Sequence, residues 1–362
     1  MKKMLFFAAM SAIALTSCVN EDDFSGENQQ LSQELKFDAP AMKQTRANVM
    51  GEITGVQYDA REQFKVFCKY YNGNFPGWTD NGMADYFNAE GDVATNEGNS
   101  SKYWSTATVY YWPDHEYNLA FAAYSPAVLT TTPTSIEHNA AGLQIKGFKT
   151  ESNANAQYDL MYSDRVIDKN KTNNAHSAIP LVFHHALSSI VFSTEKEDES
   201  INYVITDLEL HGNFIQQADF NQNIDESASY TSGDARWENP AAASTANFAP
   251  NFTDVEVTTV PTQFTQKESA LLLIPQDVPA DAAITIKYSK TTHPGIPEEK
   301  TMNNTATIKL SDFAQENGNK ITKWEMGKRY IYRISFGQNK RIYFEPSTTD
   351  WVLESTLIYV IQ

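Results

Sequence analysis

Short runs in which apolar and polar side chains alternate recur along the chain from about Met50, with Gly, Asn, Asp, Pro and Ser between them. The clearest span residues 64–71, 106–112, 117–124, 143–148, 179–192, 203–210, 269–274, 283–288, 305–310, 329–336 and 341–344. A period of two places one set of side chains on a buried face and the other on the opposite face. The runs are rich in Val, Ile, Thr, Tyr and Phe, which fit a pleated, half-buried surface. Helical signals are sparse. Residues 196–203 read as a charged turn and 311–317 as one helical turn, and no segment sustains a 3.6 period with caps. The pattern predicts an all-β protein built of sandwiches or barrels. Residues 89–101 and 219–252 are polar and read as surface loops. A boundary near Pro180, after the loop 168–176, divides the chain into an N-terminal domain, 47–180, and a C-terminal domain, 181–362. Two domains suit a chain of 362 residues.

The first residues break this texture. Lys2 and Lys3 precede an apolar stretch, 4–15, too short to span a bilayer. Residues 1–17 read as a signal peptide. The segment ends Leu15-Thr16-Ser17-Cys18, which resembles the bacterial lipoprotein cleavage box. That resemblance makes Cys18 the first mature residue and the carrier of the lipid that holds the protein to the outer membrane. The plainer alternative is an ordinary signal peptide with an incidental cysteine. Residues 18–46 read as a polar tether and propeptide. Within it Leu35 and Phe37 stand out as a short strand, expected to pair with the first sandwich through residues 35–45.

Charge and candidate chemistry narrow the functional classes. With 28 basic and 45 acidic residues the net charge is −17, which excludes the basic footprint of a nucleic-acid-binding protein. Once Cys18 is acylated, Cys68 has no partner for a disulfide; its alternation with Phe64, Val66 and Tyr70 predicts a buried strand cysteine. Of the seven histidines only His184 and His185 adjoin, and strand neighbours point to opposite faces. No spacing matches a zinc site, a phosphate loop or a nucleophile elbow. The expectation is a protein without catalytic residues, metal or cofactor. Trp78 and Tyr86 lie in the Gly/Asn/Asp-rich stretch 75–87, and Trp237 lies in the long polar loop. These three are candidates for binding a glycan or host receptor, against the alternative of local loop packing. Trp104, Trp112, Trp324 and Trp351 read as core. The chain ends with Leu357, Ile358, Tyr359, Val360 and Ile361 before Gln362, apolar on both strand faces. Such a strand is either central to its own domain or donated to another subunit.

Several phrases together resemble the fimbrillin family, in its Mfa-like branch of Bacteroidales-type (type V) pilins. They are Tyr110-Tyr111-Trp112-Pro113 with Leu119-Ala120-Phe121-Ala122-Ala123-Tyr124-Ser125-Pro126, then Tyr158-Asp159-Leu160-Met161-Tyr162. Next come Leu181-Val182-Phe183-His184-His185-Ala186-Leu187-Ser188-Ser189-Ile190 and Leu271-Leu272-Leu273-Ile274-Pro275-Gln276. The last is Trp324-Glu325-Met326-Gly327-Lys328-Arg329-Tyr330-Ile331-Tyr332, with Asp350-Trp351 near the end. The resemblance spans the mature chain and implies two tandem, transthyretin-like β-sandwich domains. It also implies export as a lipoprotein and cleavage by a trypsin-like, arginine-specific protease, here between Arg46 and Ala47. The strand at Leu35 and Phe37 would then leave, and a strand from another pilin subunit would fill its groove by β-strand addition. Residues 357–361 are the donor-strand candidate. The resemblance thus points to a fimbrial subunit at the cell surface that supports adhesion. The alternative within the same fold is a non-polymerising surface lipoprotein, a tip or anchor, that binds a glycan or host ligand.

Overall fold

The computed structural model describes residues 34–38, 63–73, 82–96, 103–113, 117–129, 133–174, 177–222, 235–265, 269–312, 320–337 and 342–350. In chain order the strands begin with β1 (Phe37–Asp38), β2 (Gln63–Asn72), β3 (Met83–Asp85), β4 (Asp92–Asn96), β5 (Tyr103–Thr106) and β6 (Tyr117–Ser125). Next come β7 (Ser135–Asn139), β8 (Gly142–Lys149), β9 (Met161–Ser163), β10 (Val166–Lys169), β11 (Ile179–Pro180), β12 (Phe183–His185) and β13 (Ser188–Lys196). They continue with β14 (Ile201–Phe214), β15 (Gln217–Asn221), β16 (Arg236–Glu238), β17 (Ser244–Phe248), β18 (Val255–Glu256), β19 (Thr262–Gln263) and β20 (Leu271–Leu273). The last are β21 (Gln276–Asp277), β22 (Ala283–Thr292), β23 (Lys300–Lys309), β24 (Lys323–Trp324), β25 (Lys328–Phe336) and β26 (Ile342–Asp350). The protein is all-β, as its alternating runs predict. Among the described residues helix is confined to single turns such as Lys171–Asn174 and Leu310–Asp312.

The first sheet has ten strands in the order β11-β1-β5-β4-β2-β6-β9-β12, with β3 beside β2 and β10 beside β6. Its two end strands, β11 and β12, are neighbours in sequence, so the sheet curls round until its ends almost meet. Inside the curl lie Phe37, Phe64, Val66, Cys68, Trp104, Leu119, Phe121 and Phe183, all buried. The other face buries Phe67, Ala122 and Tyr124 against the sheet β16-β15-β8-β7. β6 is therefore covered on both sides, which explains why residues 119–124 are apolar almost without interruption. A second sandwich closes sheet β19-β13-β25-β26 over sheet β17-β14-β22-β23, around Phe192, Phe214, Phe248, Ile284, Ile286, Trp324 and Tyr332.

Two pairings cross Pro180. β12 continues the first sheet through β9, and β15 joins β8 antiparallel. Leu272 and Ile274, from the second half of the sequence, share a core with Phe67 and Tyr124. Buried glutamines knit these junctions by imitating the peptide group. The Gln157 carbonyl accepts from Leu272 N–H at 2.7 Å and that of Gln222 from Leu143 N–H at 2.9 Å. Gln276 accepts from Ile215 N–H at 2.8 Å and donates to Ile215 O at 3.1 Å. Each satisfies backbone groups that no ladder reaches.

Several local expectations are corrected. The run 106–112 is not a strand: β5 ends at Thr106, and residues beyond it turn, with only a bridge at Tyr111. The run 179–192 is divided among two short strands, β11 and β12, and the start of the nine-residue β13, because the chain changes sheets within it. The polar stretch 89–101 contains β4, a central strand between β2 and β5 that points only Ala94 into the core. The stretch 219–252 contains β16, which turns Trp237 inward, and β17, which buries Ala246 and Phe248. Strands that bury so little carry no alternation to read. Gly147 marks a bulge in β8: its φ is +71°, its N–H donates to Asp219 Oδ1 at 2.7 Å, and an added Cβ would lie 2.6 Å from Thr134 Oγ1.

Candidate strand-addition site

β1 is two residues long and lies between two strands of the first sheet. On one side Phe37 and Asp38 pair antiparallel with Trp104 and Tyr103 of β5. On the other they pair parallel with Ile179 and Pro180 of β11. Lys36 O accepts from Ile179 N–H at 2.7 Å, and Asp38 O accepts from Leu181 N–H at 2.8 Å. Leu35 N–H donates to Tyr110 O at 2.8 Å, and Glu34 bridges Tyr111. β11 needs β1: among the described residues no other strand lies beside it.

The side chains explain why so short a segment stays. Phe37 is 0% exposed and Leu35 4%. The Phe37 ring makes edge contacts with Phe64, Phe87 and Phe121 at centroid distances of 6.1, 6.2 and 5.9 Å. Burying a phenylalanine stabilises by roughly 1.5–3 kcal/mol, and each such aromatic pair adds about 0.5–1.5 kcal/mol. The alternation Leu35-Lys36-Phe37 turns both apolar side chains inward and leaves Lys36 outside, 3.8 Å from Glu34. At that separation and partly open to water, the pair contributes little. Withdrawing β1 would strip β5 and β11 of a ladder partner and open an apolar hollow among three phenylalanines.

The other sequence candidates fall into three groups. Cys18, Arg46, Ala47, Trp78 and residues 357–361 lie outside the described residues. β26 pairs with β25 from Lys328↔Asp350 to Phe336↔Ile342 and is the outer strand of its sheet among the described residues. Tyr86 packs against Tyr70, Phe87 and Tyr110, and its hydroxyl donates to Tyr111 O at 2.5 Å. Trp237 is engaged differently: its ring contacts Phe148 and Phe220, and its indole N–H donates to Ala186 O at 2.7 Å. It is partly buried against this core and lies on β16 rather than in a loop.

Histidine and cysteine behave as the alternation requires. His184 reaches Asp164 at 2.9 Å on the half-exposed face, whereas His185 is buried with Nδ1 2.9 Å from Asp159 Oδ1 and 2.8 Å from Oδ2. Burial pushes the Asp159 carboxyl up, while His185 and the Arg329 guanidinium pull it back. Burial likewise pushes the Cys68 thiol well up, away from the reactive thiolate. Among the described residues no cluster of His, Cys, Asp or Glu has the makings of a metal site, and no helix is long and apolar enough to cross a membrane.

Sequence reasoning singled out Leu35 and Phe37 but not the residues that hold them. Phe87, Trp104 and Ile179 were legible only as apolar positions, because a parallel partner far along the chain leaves no local signal.

Comparison with known proteins places this architecture. Residues 45–351 match the family described as Fimbrillin-like. A fimbrial protein from Bacteroides vulgatus has a similar fold, with a TM-score of 0.59 at 16% identity, over 88% of this chain and 99% of that one. A candidate cell adhesion protein from Bacteroides uniformis has a TM-score of 0.52 at 14% identity, over 88% of this chain and 98% of that one. No curated protein matches. With a family match over most of its length and the curled sheet, inserted β1 and second sandwich described above, this chain belongs to the fimbrillin-like family.

Proposed function

We propose that this protein is a fimbrial structural subunit that assembles by protease-triggered strand exchange and supports cell adhesion without catalytic turnover. It travels as a lipoprotein on Cys18 to the outer membrane. An arginine-specific, trypsin-like protease cuts between Arg46 and Ala47, which frees the mature subunit from lipid and from the covalent tether to β1. A strand of another subunit then takes the place of β1 and carries the chain into the fimbrium.

The observation that supports this most is the seating of β1. Its described contacts with the first sheet are backbone bonds and apolar packing, which a second strand of matching pattern can reproduce. After cleavage it is held without a covalent link to the mature subunit. An incoming strand must present an apolar residue and, two positions on, an aromatic one. Leu357-Ile358-Tyr359 repeats the spacing of Leu35-Lys36-Phe37, and the family match supports pilin partners.

Intact mass measurement of the protein recovered from its native cell surface tests the proposal. A mature N-terminus at Ala47, together with loss of polymer in Arg46→Ala, is the expected result. An acylated Cys18 on an otherwise uncut chain would refute it and leave a permanently anchored, non-polymerising surface lipoprotein.

A further inference from the structure

The core inside the curled first sheet changes composition at one end. Its buried aromatic residues are phenylalanine and tryptophan, whereas the partly buried residues packed against it include Tyr70, Tyr86 and Tyr110. Tyr117 joins them through Tyr70, with centroids 5.2 Å apart. Tyr70 and Tyr86 lie 6.2 Å apart, and Tyr86 and Tyr110 6.1 Å apart. The result is a row of four tyrosines along the mouth of the sheet, drawn from β2, the residues after β3, the turn after β5 and the start of β6.

The polar groups of this row are unevenly engaged. Tyr86 donates to Tyr111 O, and Tyr110 donates to Asp92 Oδ2 at 2.9 Å. The Tyr70 hydroxyl has no hydrogen-bond partner among the described residues. Tyr111, next to the row, is 51% exposed. Cations are absent from this face of β2. Lys65 and Lys69 alternate away from the side of Phe64, Val66, Cys68 and Tyr70, and Lys69 is held by Asp85 at 2.7 Å. Among the described residues, the carboxylate of Asp92 touches the row through Tyr110.

We infer that this tyrosine row is a binding site for a neutral pyranose glycan. Tyrosine rings offer electron-rich faces on which the C–H face of a sugar stacks, and their hydroxyls exchange hydrogen bonds with sugar hydroxyls. The mouth of a curled sheet, apolar with a few convergent polar groups, is a frequent position for a ligand site. With Asp92 present and no cation on that face among the described residues, a sialylated or sulfated glycan meets repulsion rather than an ion pair. The inference does not depend on strand exchange: a polymerising subunit and an anchored lipoprotein would each present the row.

The test uses the purified full chain on an array of neutral and sialylated oligosaccharides, followed by titration with the best-bound neutral member. Tyr86→Ala should weaken binding about tenfold, Tyr86→Phe should hold within about threefold, and Tyr288→Ala, in the second sandwich, should leave it unchanged. Hydroxyl-radical footprinting of the unsubstituted protein, which depends on no variant folding, should show the oligosaccharide protecting Tyr70, Tyr86 and Tyr117. Failure to bind any neutral member, a preference for sialylated members, or protection elsewhere would overturn the assignment.

Discussion

The first sheet and the second sandwich are made of similar alternating runs, yet they are closed in different ways. In the second sandwich the main ladders are long. β14 pairs with β22 from Ile201↔Thr292 to His211↔Ala283, and β22 with β23 from Ala283↔Lys309 to Thr292↔Lys300. The second of these joins neighbours in sequence across a hairpin. The first sheet is closed at one seam by the two residues of β1, contributed from far upstream of β2. A long ladder between sequence neighbours holds itself through many backbone bonds. A short distant strand contributes chiefly through one deeply seated side chain, and the proposed exchange rests on that difference. Ladder length and burial are separable in this molecule: Phe37 is as buried as any residue of the second core, yet its strand is two residues long.

The sharpest way to break this comparison is Phe37→Ala. Removing the ring should destabilise the first sheet by about 3–5 kcal/mol. Hydrogen exchange should quicken at the Ile179 and Leu181 amides, which bond to β1, while β22 amides keep their protection. If β22 opened in step with β11, the two regions would unfold as one unit and the contrast would fail.

His185→Ala probes the junction between them. It leaves the Asp159 carboxylate buried without its imidazole, beside Arg329 from β25, and should cost about 3 kcal/mol in urea unfolding. An effect confined to the first sheet would show that the pair serves only that sheet.

His138 on β7 sharpens the comparison through pH. It is 3% exposed, its ring contacts Phe67, and neither ring nitrogen has a hydrogen-bond partner among the described residues. Burial holds this imidazole well below the usual histidine range, and Arg165 and Lys69 push the same way. The unfolded chain therefore binds a proton that the folded chain refuses. Stability is fully present above about pH 6.5 and declines as pH falls below it, by on the order of 2 kcal/mol at about pH 5. The difference between the parent and His138→Phe, measured by urea unfolding at both pH values, should show this loss in the parent alone. An equal pH dependence in both would remove His138 as the cause.

Trp237→Phe gives the smallest expected effect. It keeps an aromatic against Phe148 and Phe220 but deletes the bond to Ala186 O, for about 1 kcal/mol. A glycan affinity that fell with it would return Trp237 to the ligand-binding candidates.

Much of this was legible in the residues themselves. Alternation alone set which face of β2 carries Cys68 and sent His184 and His185 to opposite sides, because side-chain direction in a strand is a local property. It also marked Leu35 and Phe37 as inward-facing within a polar tether. Alternation reports that a face is buried but not which strand lies beside it. The parallel seating of β1 against β11, the return of β15 to β8, and the central place of the polar strand β4 were decided only by tertiary structure. Each depends on ladder partners far apart in sequence, whose hydrogen bonds join backbone groups common to every residue and so leave no trace in side-chain identity.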